Sequence, residues 1–272
     1  MISEDKVKKA ILKLFEESQT RLGDDVLSLL NEAYETEEVE FSRKILGMLL
    51  ESVEIAKKEK VPICQDTGIP IFFLEIGREV RLNFNIYKTI TEAVREATKK
   101  IPLRPNTVHP ILRSNPGDNT GLEMPLFYTK LVEGKRLKIS LIPKGAGSEN
   151  VSLLGMLPPS PEKILRFILE AVKKAGGKPC PPIFVGVGIG SSFDGVSRLA
   201  KEALLRNAKE MNEFELEIRE KINKLGIGPM GLGGKWTSLA VLVNIGHCHT
   251  ASLPVAVNIQ CWAHRKASVV LR

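Results

Sequence analysis

Thiols and large aromatic rings are scarce in this sequence: its 272 residues include four cysteines, two tryptophans and three tyrosines. Four cysteines are too few for a disulfide scaffold, and Cys64, Cys180, Cys248 and Cys261 lie far apart with no CxxC pair. In a reducing compartment such thiols are buried packing groups, metal or cluster ligands, or nucleophiles. With so few rings and no basic run interleaved with aromatics, the chain lacks the stacking surface of a single-strand nucleic-acid binder. No window approaches the roughly 18 uncharged apolar residues of a membrane-crossing helix. The N-terminal MISEDKVKKAILKLFEES is charged and amphipathic and has no signal-peptide apolar run, so we expect a cytoplasmic protein without a membrane or nucleic-acid partner.

What is present is ordinary globular material, 43% hydrophobic and 26% charged, enough for a sizeable core. The net charge of +7 hides an asymmetry: residues 1–60 carry −4 and the remainder +11. A basic body suits an anionic partner, whether a phosphorylated ligand or a small carboxylate.

The first 60 residues read as helices. Val7, Ala10, Ile11, Leu14 and Phe15 follow the spacing of one apolar helical face, as do Val26, Leu27, Leu30 and Ala33, then Ile45, Leu46, Leu49, Leu50 and Val53. Beyond Pro62 the pattern changes. Ile71-Phe72-Phe73-Leu74 signals a buried strand, and a helix through Ile90, Val94 and Ala97 follows. Residues 102–121 hold four prolines and form a long loop. Strands at 126–132 and 136–142, joined by Glu133-Gly134-Lys135, suit a hairpin. Helices are expected at 161–175 and 195–225, the second broken near Met211. The Ile183–Ile189 run, alternating with glycine, reads as a buried strand with close backbone approach. Strands at 238–245, 254–260 and 267–271 finish the chain. Helices first, then mixed strands, predict an α+β layered fold rather than a doubly wound sheet. Residues 1–60 are read as a helical segment of the same domain as the α+β body at 61–272.

Glycine loops invite a nucleotide reading, which fails on particular residues. After Gly186-x-Gly188 the third glycine comes too early for GxGxxG. In 225–235, Pro229 and Trp236 stand where a phosphate loop needs glycine and Ser/Thr. His247 and His249 could share a zinc, but no third ligand is evident nearby in the sequence. Cys64-Gln65-Asp66-Thr67-Gly68 is denser. As a simple turn, Asp66 caps a backbone N–H, yet a turn alone does not call for a thiol and an amide beside it. Cys180 sits among Pro179, Pro181 and Pro182, which stiffen its approach. Gln260-Cys261-Trp262 follows a strand ending at Ile259.

Taken together, CQDTG at 64–68, KGAGSEN at 144–150, PCPP at 179–182, GLGGK at 231–235 and the block from His249 to Arg265 resemble the class I, iron–sulfur fumarate hydratases and the sister L-tartrate dehydratases. The resemblance spans about 200 residues in the family's order. It implies the fold of the iron-dependent fumarase N-terminal domain. It also implies a [4Fe–4S] cluster held by Cys64, Cys180 and Cys261, with one iron free of cysteine. A fully thiolate-ligated cluster transfers electrons, whereas an open iron is a Lewis acid. Cys248 matches no family ligand and is read as packing. By the same resemblance Gln65, Asp66, Arg104 and the backbone of Gly147 contact substrate. His249 approaches substrate too and either polarises a carboxylate or acts as an acid, and His249 with Asp66 are the catalytic candidates on this chain. The middle residue Ala146 departs from the glycine of the fused enzymes. A second domain follows in fused members and is a separate β subunit in split ones. The chain thus looks like the α subunit of a split enzyme, expected to assemble as a higher oligomer of αβ units and to be inactive without the β subunit, which carries the base. Fumarate hydration is the expected reaction, with L-tartrate or mesaconate chemistry as alternatives on the same site. From a different class, a zinc- or nucleic-acid-binding module would use His247, His249 and the basic body.

Overall fold

The computed structural model describes residues 2–272. In chain order it contains helices α1 (Glu4–Thr20), α2 (Asp24–Thr36) and α3 (Glu40–Glu59), strand β1 (Ile69–Gly77) and helix α4 (Ile86–Lys100). Strands β2 (Leu126–Val132) and β3 (Leu137–Lys144), the short helix α5 (Ala146–Glu149), strand β4 (Leu153–Leu157) and helix α6 (Pro161–Ala175) follow. Strand β5 (Ile183–Ile189), helices α7 (Phe193–Ala203) and α8 (Glu213–Asn223), and strands β6 (Ser238–Ile245), β7 (Leu253–Gln260) and β8 (Ala267–Leu271) complete the chain. The α+β expectation holds. No helix among the described residues is long and apolar enough to cross a membrane.

The chain divides into two compact units. The first comprises Met1–Gly23, Ser52–Gly145 and Arg265–Arg272. Its sheet has the order β2-β1-β3-β8. Helix α1 begins at Ser3, whose hydroxyl accepts from the Lys6 N–H, and Glu4 and Asp5 in its first turn suit the positive end of the helix. Val7, Ile11, Leu14 and Phe15 of α1 meet Ile90, Ala93, Val94 and Ala97 of α4 and Phe72, Leu74, Ile139 and Leu141 of the sheet in one core. Each valine, leucine, isoleucine or phenylalanine among them contributes about 1.5–3 kcal/mol by leaving water.

The expected β2–β3 hairpin is not formed. Strand β1 lies between its two arms, parallel to β2 and antiparallel to β3. The apolar β1 is buried along most of its length, while β2 exposes Thr129, Lys130 and Leu131. A doubly buried strand belongs in the sheet's middle and a half-polar one at its edge. The 133–136 connection therefore passes over the end of β1, where Gly77 N–H donates to Arg136 O (2.9 Å) and Glu79 N–H to Gly134 O (3.1 Å). A Cβ on Gly77 would stand 2.3 Å from Gly134 O, so this crossing requires glycine.

The second unit comprises Asp24–Glu51 and Ala146–His264. Its sheet has the order β4-β7-β5-β6, with β5 parallel to β6 and antiparallel to β7. Strand β4 has no signal in the sequence beyond a short apolar run; its pairing with β7 creates it. The expected helix at 195–225 is two helices. Asn212 caps α8 in a reciprocal capping box with Glu215, and the buried Glu215 carboxylate also holds Arg206 and the Val243 N–H. The glycines of β5 do what the sequence suggests. A Cβ on Gly188 would lie 2.3 Å from Val196 O of α7, and one on Gly186 would lie 2.2 Å from Ala200 O. We therefore expect Gly188→Ala to push α7 off the sheet and cost about 2–3 kcal/mol, read as a lower urea midpoint. An unchanged midpoint would show that the helix can shift freely.

Candidate active site

In the first unit the CQDTG loop runs between α3 and β1 and is held by two buried side chains. Gln19, at the end of α1, accepts through its backbone carbonyl from Ile63 N–H (2.9 Å) and donates from Nε2 to Thr67 O (2.7 Å). Arg265 donates from Nη1 to Gln19 Oε1 (2.7 Å) and from Nη2 to Asp66 O (2.8 Å). Three bonds therefore fix the backbone on both sides of the half-buried Cys64, and the fourth joins the two supporting side chains. Asp66 makes the turn capping that its position suggests, accepting Gly68 N–H at 3.0 Å. Gly68 has φ +76, and a Cβ there would lie 2.7 Å from Lys144 N, so the loop closes tightly onto the end of β3. Thr67 Oγ1 donates to Arg104 O (2.8 Å) and accepts from Asn106 Nδ2 (3.1 Å). These bonds tie the long 102–121 loop to CQDTG. Cys64, Gln65, Asp66 and Arg104 are thus gathered, with Gln65 and Arg104 exposed.

In the second unit Cys180, Cys261 and Gly147 meet at one end of the sheet. Trp262 N–H donates to Cys180 O (3.2 Å), joining the residue after Cys261 to the PCPP segment. Cys180 has φ +54, a left-handed backbone that costs a residue other than glycine about 1–2 kcal/mol. It is retained by Cys180 N–H bonding Gly177 O (3.1 Å) and by Met230 N–H bonding Pro181 O (2.7 Å). A Cβ on Gly147 would lie 3.3 Å from Lys178 O, so its backbone approaches that segment closely. The rest of KGAGSEN sets register: Ser148 Oγ donates to Gln260 Oε1 (3.3 Å), and Glu149 holds both Asn258 Nδ2 (3.1 Å) and Lys201.

His249 is not part of this gathering. It lies in the exposed connection before β7, whereas Cys261 follows the end of β7. Eight strand residues separate the two ends, about 23 Å at 3.3 Å per residue. Residues 246–252 are not strand, so His247 and His249 do not share a strand face. Ala251 N–H donates to His249 Nδ1 (3.1 Å), which puts the proton of the neutral ring on Nε2. Cys248 is exposed, not packed, because this connection stays at the surface.

Among the described residues no three His, Cys, Asp or Glu side chains close on a single-ion position. A four-iron cluster is a larger object, held by thiolates several ångström apart. None of the four cysteines is joined in a disulfide, and Cys180 is exposed. Soft thiolates are the donors iron–sulfur clusters take. Arg265 is 2% exposed and its buried Nε–H has no acceptor among the described residues. An unsatisfied cationic N–H beside the Cys64 loop fits an anionic group there.

Two supporting residues were missed from sequence. Gln19 reads as an ordinary polar residue at a helix end, and only its burial at 1% exposure reveals it. Glu37 is 3% exposed and accepts Val39, Lys235 and Trp236 N–H groups, fixing the GLGGK loop. A charge run around it (Glu35, Glu37, Glu38, Glu40) concealed it as surface.

The model of the fumarate hydratase (fumerase) family matches residues 8–270. A Methanocaldococcus jannaschii protein with the provisional name L(+)-tartrate dehydratase subunit alpha is 47% identical over 274 residues, covering 96% of each chain. The L(+)-tartrate dehydratase subunit alpha of Escherichia coli O157:H7 is 32% identical over 287 residues, covering 100% of this chain and 95% of its own. A Geobacillus stearothermophilus protein with the provisional name fumarate hydratase class I is 35% identical over 282 residues. There the match takes in 97% of this chain but 55% of the longer relative.

Proposed function

Because this chain belongs to the fumarate hydratase (fumerase) family, we propose that it is the α subunit of a cytoplasmic iron–sulfur hydro-lyase that hydrates fumarate reversibly to L-malate. The single observation that carries the reading is the support built around three cysteines: two buried side chains fix the Cys64 loop, and Trp262 ties Cys180 to the Cys261 segment. In this reading Cys64, Cys180 and Cys261 hold a [4Fe–4S] cluster with one iron free of cysteine. When bound, that group supplies Lewis acidity toward a substrate carboxylate and hydroxyl.

The chain's own residues do the rest. Arg104 is exposed on a loop anchored at Thr67, and its guanidinium forks a carboxylate of the C4-dicarboxylate in a bidentate pair. Gln65, exposed beside Cys64, donates its amide N–H to the same substrate. Asp66 keeps one oxygen on Gly68 N–H and offers the carboxylate as a proton carrier. Gly147 lets the chain's backbone approach the substrate where a side chain would intrude. His249 presents a protonated Nε2 as an acid. Because β7 separates it from Cys261 of its own chain, this reading assigns His249 to the Cys261 end of a second chain. The base comes from a β subunit, consistent with the subunit-alpha names of the relatives matched over nearly their whole length. Those names favour a second reading, L-tartrate dehydration. It differs by one substrate hydroxyl, a matter of pocket hydrogen bonding.

The test is anaerobic reconstitution. The chain should take up about four iron and four sulfide, and Cys180→Ala should lose most of both. Stoichiometric zinc indifferent to Cys180 would discard the reading. Activity on fumarate and L-tartrate should appear only with the β subunit, and turnover by the chain alone would refute the division of labour.

A further inference from the structure

Helix α3 carries large apolar side chains that it does not bury. Phe41 is 60% exposed, Met48 67% and Ile55 52%. Scattered exposed apolar residues are normal on a protein surface. These three are spaced seven apart. On a helix of 3.6 residues per turn, seven residues return to within about 20° of the same direction, so the three form one line about 21 Å long. The buried side of the same helix is a different set: Ser42, Leu46, Leu49, Val53 and Ala56. A seven-residue apolar repeat is the seam of a helix pair, and among the described residues no helix covers this one.

Its charges say which partner. At the outermost positions Glu38 and Glu40 lie at the start of α3 or just before it, followed by Arg43 and Lys44 one turn in; Lys57, Lys58 and Lys60, with Glu59 among them, lie at its end or just after, all exposed. A parallel copy would set like charge against like. An antiparallel copy sets the acidic end of each helix against the basic end of the other and also opposes the two helix dipoles favourably. The stripe is symmetric about Met48, with Phe41 and Ile55 equally distant from it. A two-fold axis through Met48 therefore places Phe41 against Ile55 of the second copy, and Met48 against its own equivalent. The same operation brings Lys44 beside Glu51 of the second copy, and Glu51 beside its Lys44. Both side chains are exposed, and Lys44 already holds Glu40 of its own helix at 2.7 Å. An isologous contact of this kind needs self-complementary chemistry at each position, and α3 has it in shape and in charge.

We propose that α3 is a homotypic docking surface on which a second copy of this chain packs antiparallel about Met48. One helix pair lies at the low end of interface sizes, below about 1,200 Å², so the dimer is concentration-dependent, with dissociation in the micromolar range.

Sedimentation equilibrium of the full chain under reducing conditions tests this. The 30.1 kDa chain should give a doubled mass at high micromolar concentration. Met48→Glu, which sets two carboxylates together on the axis, should leave a monomer with unchanged circular dichroism. Lys44→Glu and Glu51→Lys should each weaken the dimer about tenfold. Combined, they should restore it, because the reciprocal pairs re-form with their signs exchanged. Residues 44 and 51 are about 10.5 Å apart along one helix, so rescue cannot arise within a chain. A monomer at every concentration would overturn the proposal and leave the stripe to a different subunit. A dimer indifferent to Met48→Glu, or a double variant no better than the single ones, would overturn it equally.

Discussion

Replacing Arg265 by methionine should cost about 3 kcal/mol of stability and loosen the CQDTG loop, although the residue lies 199 positions from Asp66. The guanidinium gives hydrogen bonds to Gln19 Oε1 and Asp66 O. Bonds from a charged donor contribute about 1.5–3 kcal/mol each, and their loss strands both acceptors in a buried site. Part of this is offset, because methionine also removes the unsatisfied Nε–H. Arg265→Lys should recover no more than half the loss, since an ammonium is a point donor and cannot bridge two acceptors as a planar fork does. Two measurements separate loop positioning from bulk packing. Urea unfolding reads the stability, and deuterium exchange at residues 63–68 reads the loop. Faster exchange there under conditions where α4 stays protected is the expected signature. A fall in stability with the 63–68 amides unchanged would make Arg265 a core residue only. On the proposed function, the same variant should lose iron faster than the parent on dilution.

The sequence was most legible where one chemical requirement leaves few residue choices. The apolar periodicity of α1, α2 and α4 and the paired glycines of β5 needed no tertiary information, because burial against a single face imposes the pattern locally. Gly186 and Gly188 already implied a backbone pressed against something, and α7 is that neighbour. Tertiary competition is what periodicity does not express. Strands β2 and β3 are joined by a short connection and read as a hairpin, but the more apolar β1 takes the place between them. Strand β4 exists because β7 offers it an edge. At the candidate site, Cys64, Cys180 and Cys261 were identifiable as motif residues, and the last two were found tied by Trp262. His249 was not separable from them by sequence, because twelve residues can fold back or run straight. Here eight of them run straight as β7. Gln19 and Glu37 were invisible for another reason: an amide or carboxylate on a helical segment is solvated surface in most proteins, and only burial turns it into a clamp.

Glu37 is where that reversal should have its largest consequence. Its carboxylate accepts Lys235 N–H with both oxygens (3.1 and 2.9 Å), Trp236 N–H with Oε2 (3.3 Å) and Val39 N–H with Oε1 (3.1 Å). Ser42 Oγ adds a bond to Gly233 O (2.6 Å). The loop so fixed is the one whose Met230 N–H bonds Pro181 O, and a Cβ on its Gly231 would stand 2.7 Å from the Gly177 Cα. Gly177 and Pro181 flank Cys180, so the route from Glu37 to that thiol is short and made of backbone. Glu37→Ala strands three N–H donors and should cost about 3 kcal/mol, at roughly 1–3 kcal/mol per stranded group with some relief from entering water. Glu37→Gln is the sharper test. It keeps shape and volume, but its amide nitrogen must face N–H donors on whichever side it is turned, because each carboxylate oxygen already accepts two of them. It should therefore lose about 2 kcal/mol, most of the alanine effect. In both variants the exposed Cys180 should be alkylated several-fold faster, while Cys248, on the far side of β7's span, keeps its parental rate as the internal control. A glutamine variant as stable as the parent would mean that the ionised form is not needed to hold the loop. A Cys180 rate that follows Cys248 would mean that the loop and the thiol are not coupled.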